Sequence, residues 1–218
     1  ELRRFDRIRI ENVRVHQTHN DDGSVDVMVD IELKGRPSGL VPYEIRFGDQ
    51  TKMSVEENDA ELQSHLSHFH IEKPDLWWPA GSGAQPLYEL YIRCGEDERK
   101  LKVGLRQIDL NTDKDASGSR FAFRVNGKDI YCRGSNWIPA DALPSAATPE
   151  LTEKLLQAAV DSNQNMIRVW GGGFYEQEFF YDICDRLGLM VWQDFMFACN
   201  LYPSTPEFLA EVKLEAEY

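Results

Sequence analysis

The chain has 218 residues, 42% of them hydrophobic and 28% charged, which is enough for one large or two modest globular domains. Its formal net charge of −13 repels polyanions, so we expect neither nucleic acid nor an anionic membrane as a partner. No apolar run approaches the roughly 20 residues that a membrane-spanning helix needs.

The first half of the chain predicts an antiparallel β-sandwich. Residues 8 to 112 contain a series of short runs that alternate polar and apolar side chains, as in SVDVMVDIEL, where Val25, Val27, Val29 and Ile31 fall on one face. About seven such strands over roughly 100 residues indicate an immunoglobulin-like topology, although the Cys…Trp…Cys pattern of antibodies is absent. We place this sandwich at residues 1–115.

The second half predicts short strands that alternate with amphipathic helices. A hairpin turning at Asn126-Gly127 comes first, followed by helix-like runs (TPELTEKLLQAAVDSNQN, YEQEFFYDICDRLG and TPEFLAEVKLEAEY) and apolar strands (MIRVW and LMVWQDF). This order implies parallel strands covered by helices. Neither a dinucleotide fingerprint nor a P-loop follows a strand, so we predict that residues 116–218 are the first βα units of a (β/α)₈ TIM barrel. The chain starts in a charged run and stops inside a helix-like run, so we expect it to be a segment of a longer protein.

Polar and aromatic residues gather at the predicted strand ends, where the active site of such a barrel lies. They are Arg168 and Trp170 around MIRVW, Asp194 in VWQDF, and Asn136 and Trp137 after the first strand. An indole face beside an arginine, an amide and a carboxylate suits a sugar ring, whose CH-rich face stacks and whose hydroxyls need donors and acceptors. An ion pair between Arg168 and Asp194 that only supports the structure remains an equal alternative.

Three glycines follow Trp170, and they leave two interpretations open. Gly171, Gly172 and Gly173 would let the backbone pass close to a ligand, or they would simply form a tight turn. Trp192 lies in an apolar run, which favours core packing.

The histidines and cysteines do not indicate a metal site. In HLSHFH, His68 and His70 share one strand face and His65 takes the other, so we interpret them as exposed strand residues. Cys94, Cys132, Cys184 and Cys199 show no paired spacing, which favours free thiols. We expect no metal and no cofactor.

Four motifs resemble one known family. DLWWPAGSGAQPLYEL, RGSNWIPAD, NMIRVWGGGFYE and GLMVWQDFMFACNLYP are together similar to the β-mannosidases of glycoside hydrolase family 2, most closely those of animal lysosomes. The resemblance implies an immunoglobulin-like sandwich followed by a catalytic barrel, retaining hydrolysis of terminal β-mannose from oligosaccharides, and a lysosomal location. It also implies that the remaining domains of the parent chain are partners.

The same resemblance assigns roles to the residues at the strand ends. Trp170 would form the wall of the mannose subsite, and Asn136, Trp137, Arg168 and Asp194 would line its floor or orient its neighbours. The family uses two glutamates from later barrel strands, and no stretch here matches their motifs, so we expect no catalytic residue in this chain and place both beyond Tyr218.

Two other functions stay open at the level of sequence. One is a different family 2 glycosidase, of the β-galactosidase or β-glucuronidase type. The other is a non-catalytic β-sandwich module that binds carbohydrate.

Overall fold

A computed structural model describes residues 8–35, 39–57 and 62–217. The chain divides into two compact units. The sandwich unit contains the residues up to Trp78 together with Gln85–Ile130, and the α/β unit contains Pro79–Ala84 and the residues from Tyr131 onward. The sandwich unit thus ends fifteen residues after residue 115, where the sequence places the domain boundary. The boundary at residue 115 stays a prediction.

The sandwich unit is built on two antiparallel sheets, which confirms the β-sandwich predicted from the alternating pattern. The seven strands are β1 (Ile8–His19), β2 (Val25–Gly35), β3 (Leu40–Phe47), β4 (Gln50–Glu57), β5 (Leu62–Ile71), β6 (Tyr88–Cys94) and β7 (Asp97–Val103). They pair in the orders β1-β2-β5 and β4-β3-β6-β7. In the constant-type immunoglobulin arrangement the fourth strand joins the sheet of the first, second and fifth, whereas here β4 pairs with β3.

The period of two residues in the sequence explains the core of this unit. In β2 every second side chain is buried, from Val25 and Val27 to Leu33. Each buried aliphatic side chain of this kind stabilises a fold by about 1.5–3 kcal/mol. The facing strands add aromatic bulk, because Phe47 packs between Phe69 and Tyr88 with ring centroids 5.7 and 5.5 Å away.

The run KLKVGLRQIDL alternates as one strand would, but it contributes to two strands. It breaks after β7, and β8 (Ile108–Asn111) pairs instead with the hairpin of β11 (Ala122–Val125) and β12 (Lys128–Ile130). The break lies at Gly104, where a Cβ would stand 3.0 Å from the indole of Trp77. The predicted hairpin turn is confirmed, since Asn126 and Gly127 have φ of 48° and 79°. A small pair, β9 (Lys114–Asp115) and β10 (Gly118–Ser119), completes the unit.

The α/β unit holds a parallel sheet and helices in the order expected from sequence. Its elements are β13 (Gly134–Trp137), a 3₁₀ turn (Pro144–Ala146), α1 (Pro149–Asp161), β14 (Met166–Val169), α2 (Glu178–Leu187), β15 (Met190–Gln193) and α3 (Pro206–Glu217). Thr148 caps α1 by accepting a hydrogen bond from the Leu151 amide, which typically contributes about 1 kcal/mol. Gly188 ends α2 in the left-handed conformation, with φ of 80°.

The three parallel strands pair in the order β13-β14-β15. A separate core lies on one side of this sheet, where Ile167 and Val169 pack with Leu156 of α1 and with Phe180 and Ile183 of α2. Among the described helices, none has both the length and the apolar composition that crossing a bilayer requires.

Candidate functional site

The register of the parallel sheet decides which predicted site residues can meet. Asn136 of β13 pairs with Arg168 of β14, which pairs with Trp192 of β15, so these three side chains lie on the same face. Asn136 is exposed and Trp192 is 40% exposed, because α1 and α2 cover the opposite face. Trp192 therefore does not serve as core packing here, contrary to the interpretation of its apolar run.

Arg168 joins the ends of all three strands through its guanidinium group. Its Nη2 lies 2.6 Å from Asp194 Oδ2, its Nε donates to Asp194 Oδ1 at 3.2 Å, and its Nη1 donates to Asn136 Oδ1 at 3.0 Å. The ion pair proposed from sequence is thus confirmed, in the two-pronged geometry that guanidinium and carboxylate favour. We call Asn136, Arg168 and Asp194 the Arg168 cluster. Its arginine side chain is 41% exposed and its aspartate 20% exposed, so the cluster is open to a ligand.

Asp194 also holds the loop that follows β14. The amide of Gly171 donates to Asp194 Oδ2 at 3.3 Å, so this carboxylate receives three hydrogen bonds from protein donors. Such a carboxylate is held as an acceptor in a fixed place, and it is suited to orienting polar groups.

Trp170 is half-buried at the start of that loop, and it is absent from the buried core of the unit. Its amide donates to the carbonyl of Trp137 at 3.0 Å, and its carbonyl accepts from the Gly173 amide at 3.1 Å. The indole lies against Gly172, where a Cβ would approach the ring carbons to 2.1 Å. The backbone of the loop therefore determines where this ring sits.

The three glycines make room for protein atoms. A Cβ at Gly171 would stand 2.3 Å from the carbonyl oxygen of Phe195, and one at Gly173 would stand 3.0 Å from Pro139. None of the three has a positive φ, so their requirement is space. The tight turn that the sequence left open is present, because the Gly173 amide donates to the Trp170 carbonyl, and close packing of the loop is the further reason for glycine at these positions.

Trp137 lies on the other face of the sheet. Although the sequence placed Asn136 and Trp137 together after a strand, they are the last two residues of β13, so their side chains point to opposite sides. Trp137 is 8% exposed, packs on Phe180 at 5.1 Å between ring centroids, and donates from Nε1 to Glu176 Oε1 at 2.8 Å. The structure brings Asn136, Arg168 and Asp194 together and separates Trp137 from them.

Sequence reasoning missed two polar residues. No sequence signal links Glu176 to Trp137, which are 39 residues apart. His65 is buried, which corrects its interpretation as exposed: it is stacked on Tyr43 with ring centroids 4.3 Å apart and lies 2.9 Å from a carboxylate oxygen of Glu56. The sequence could have indicated this, because His65 and Phe69 are four residues apart in β5 and therefore lie on the same buried face. In the part of the chain that the structure describes, no group of three or more metal-ligating side chains converges.

One known family matches the first part of the chain. Residues 8–106 match the model of the glycosyl hydrolases family 2. This chain carries a family 2 glycosyl hydrolase domain. The match lies within the sandwich unit.

Curated relatives include two fungal proteins named β-mannosidase B. The protein of Emericella nidulans is 46% identical over 155 residues, which are 69% of this chain and 18% of the relative. The protein of Aspergillus niger is 43% identical over 187 residues, which are 84% of this chain and 22% of the relative. The chain therefore spans about one fifth of the length of these relatives.

Solved structures of a β-D-mannosidase and of an exo-chitosanase have the same fold. The β-D-mannosidase of Dictyoglomus thermophilum matches with a TM-score of 0.91 and 34% identity, over 98% of this chain and 27% of that one. The Amycolatopsis orientalis exo-chitosanase CsxA matches with a TM-score of 0.70 and 23% identity, over 87% of this chain and 23% of that one. The second likeness, at that identity, concerns the fold alone.

Proposed function

We propose that this chain is part of a retaining exo-β-mannosidase that removes terminal, non-reducing β-D-mannose from oligosaccharides during glycan degradation. Its similarity to proteins named β-mannosidase, which extends over most of both units, supports this proposal. The observation that carries it is the Arg168 cluster, an array of hydroxyl-binding groups at the carboxyl ends of parallel strands, in the unit that also holds Trp170.

In this proposal the α/β unit begins a (β/α)₈ barrel. Active sites of such barrels lie at the carboxyl ends of the strands, where Asn136, Arg168 and Asp194 are found. The sheet face that α1 and α2 leave open would become the barrel interior. The arginine and amide would donate to sugar hydroxyls, the carboxylate would accept from them, and the indole of Trp170 would wall the mannose subsite. Trp137, buried on the helix side, would orient its neighbours.

Retaining glycosidases need two carboxyl groups about 5 Å apart, one as acid/base and one as nucleophile. The Arg168 cluster supplies neither, because its single carboxylate is engaged by Arg168 and by the Gly171 amide. We therefore assign both catalytic glutamates to the rest of the parent protein and substrate binding to this chain.

The proposed location is the lysosome, and the resemblance of the four motifs to animal enzymes supports it. A net charge of −13 fits a carbohydrate partner and disfavours nucleic acid and anionic membranes. Co-fractionation of the parent protein with lysosomal markers is the expected result, and recovery in the cytosolic fraction would contradict this location.

The activity is tested with the parent protein on three aryl glycosides. We expect turnover of the β-mannoside far above that of the β-galactoside and the β-glucuronide, and we expect Trp170→Ala to weaken it. A preference for either other sugar would support a different family 2 glycosidase. Residues 1–218 alone should release no mannose, and turnover by this segment would refute the assignment of the two glutamates. Saturable mannose binding by residues 1–115 alone would favour a binding module.

A further inference from the structure

The loop after β14 is attached on both sides. Towards β15, Gly171 donates to Asp194 and lies under the carbonyl of Phe195. Towards β13, Trp170 donates to the carbonyl of Trp137, and Gly173 packs against Pro139. The loop makes these contacts with its backbone, against the Asp194 carboxylate, two carbonyl groups and a proline, and they require glycine at positions 171 and 173.

One side-chain bond closes this attachment at the far end of the loop. Glu176 lies just before α2, and its Oε1 accepts from the indole Nε1 of Trp137 at 2.8 Å. The donor is buried, since Trp137 is 8% exposed and its ring packs on Phe180, itself fully buried. A buried indole N–H without an acceptor costs free energy, so arrangements of the loop that carry Glu176 away from Trp137 are disfavoured.

We propose that Glu176 is a positioning residue that holds the loop of residues 170–176 against β13 and thereby sets the place of the Trp170 indole. The inference rests on the proposed function, because it assigns Trp170 to the sugar. Glu176 acts through Trp137 and the loop, and it does not touch the substrate. This gives Trp137 a role although its side chain lies on the side of the sheet away from the Arg168 cluster.

The test uses the full parent protein, four single variants, and a double variant that combines the first two. Glu176→Leu removes the acceptor, Trp137→Phe removes the donor while it keeps a ring, and Glu176→Gln keeps an oxygen that can accept. Glu178→Gln, in an exposed carboxylate two residues further on, is the matched control. The measurements are kcat and KM for an aryl β-mannoside, and hydrogen exchange of the peptide 170–177.

We expect Glu176→Leu and Trp137→Phe to lower kcat/KM by about tenfold, mainly through KM, because one charge-assisted hydrogen bond is lost. The double variant should be no worse than either single one, since both remove the same bond. Glu176→Gln should stay within about threefold of the wild type, as the control should. Exchange across 170–177 should quicken in the two impaired variants and stay unchanged in α1.

Either of two results would overturn the inference: wild-type kinetics and exchange in Glu176→Leu, or a Glu176→Gln variant as impaired as Glu176→Leu. If Glu176→Leu does not fold, Trp137→Phe takes its place: wild-type kinetics and exchange in Trp137→Phe, or a Glu176→Gln variant as impaired as Trp137→Phe, would overturn the inference. A parent protein that cleaves no β-mannoside but shows the expected exchange pattern would refute the proposed function and leave the positioning role in place.

Discussion

Asp194 is the residue on which the Arg168 cluster depends. It receives two hydrogen bonds from Arg168 and one from the Gly171 amide, so it connects β14, β15 and the loop between β14 and α2. Arg168 joins the three strands, but within the cluster it is Asp194 that bonds to the loop. A change at Asp194 therefore acts on the Arg168 cluster and on the loop together.

We predict that Asp194→Asn lowers kcat/KM of the parent protein for an aryl β-mannoside by about tenfold or more, because a neutral amide holds the guanidinium group less firmly. Steady-state kinetics measure this effect. The control is Glu153→Gln, which removes the exposed ion pair with Arg186 at 3.0 Å. Loss of that pair should change the free energy of unfolding by less than about 0.5 kcal/mol and leave the kinetics unaltered. Equal effects of the two substitutions would contradict the assignment.

His70 in the sandwich unit offers a pH-dependent prediction. Its Nδ1 lies 2.7 Å from Asp26 Oδ1, and this hydrogen bond raises the pKa of His70 above 6.5. The pKa of Asp26 is lowered by hydrogen bonds from Asn20 and His70. A raised histidine pKa means that the interaction stabilises the fold below pH 6.5 and is lost as the pH rises through the folded pKa.

NMR titration of the histidine rings measures the pKa shift of His70. We expect His70 to titrate above pH 6.5 and His19, whose pKa is lowered chiefly by burial, to titrate below it. Asp26→Asn should move the His70 midpoint down and leave that of His19 in place. An unchanged His70 midpoint in this variant would show that the aspartate is not its partner in solution.

At the scale of elements, the loop after β14 contains adjacent glycines that face different kinds of atom. Gly171 faces the carbonyl of Phe195, which belongs to the backbone, whereas Gly172 faces the indole of Trp170, which is a side chain. Substitution at these adjacent positions should therefore have different consequences.

We predict that Gly172→Ala displaces the indole, raises KM for the β-mannoside, and leaves local stability nearly unchanged. Gly171→Ala should instead destabilise the unit by about 1–3 kcal/mol, because the backbone has to shift around a Cβ placed 2.3 Å from an oxygen. Native-state hydrogen exchange of β14 and β15 measures the loss of stability, and steady-state kinetics measure KM. Similar losses of stability in both variants would refute this distinction.

Local pattern predicted most elements because burial follows it. The alternation in SVDVMVDIEL and the Thr-Pro-Glu start of α1 both correspond to observed elements, since one face of each is buried and the cap is satisfied locally. The Arg168–Asp194 pair was also predictable, because parallel strands end at the same edge. What could not be predicted depends on contacts distant in sequence: the Trp137–Glu176 bond, and the break at Gly104, which packs against Trp77, 27 residues away.

At the scale of the whole chain, each unit has its own apolar core, and each core contains one fully enclosed thiol. Cys94 lies in the sandwich core and Cys184 in the α/β core, whereas Cys199 is exposed, and none of the four cysteines forms a disulfide. Burial raises the pKa of Cys94 to about 12 and also raises that of Cys184, so their reactive thiolate forms are scarce.

We predict that alkylation of the native chain labels Cys199 first and leaves Cys94 and Cys184 unmodified until the chain unfolds. Mass spectrometry after timed iodoacetamide treatment, with and without denaturant, measures the order. Early labelling of Cys94 would mean that the sandwich core opens, and early labelling of Cys184 would mean the same for the α/β core.

The opposite orientations of Asn136 and Trp137 limit how this region can change in length. Deleting or inserting a single residue in β13 would turn the Asn136 amide towards the helices and the Trp137 indole towards the open side, which would break the hydrogen bonds to Arg168 and to Glu176 together. Homologous enzymes should therefore differ between Arg133 and Pro139 in the kind of residue but hardly ever in the number of residues. Gaps aligned within that short interval would be hard to reconcile with a shared binding geometry.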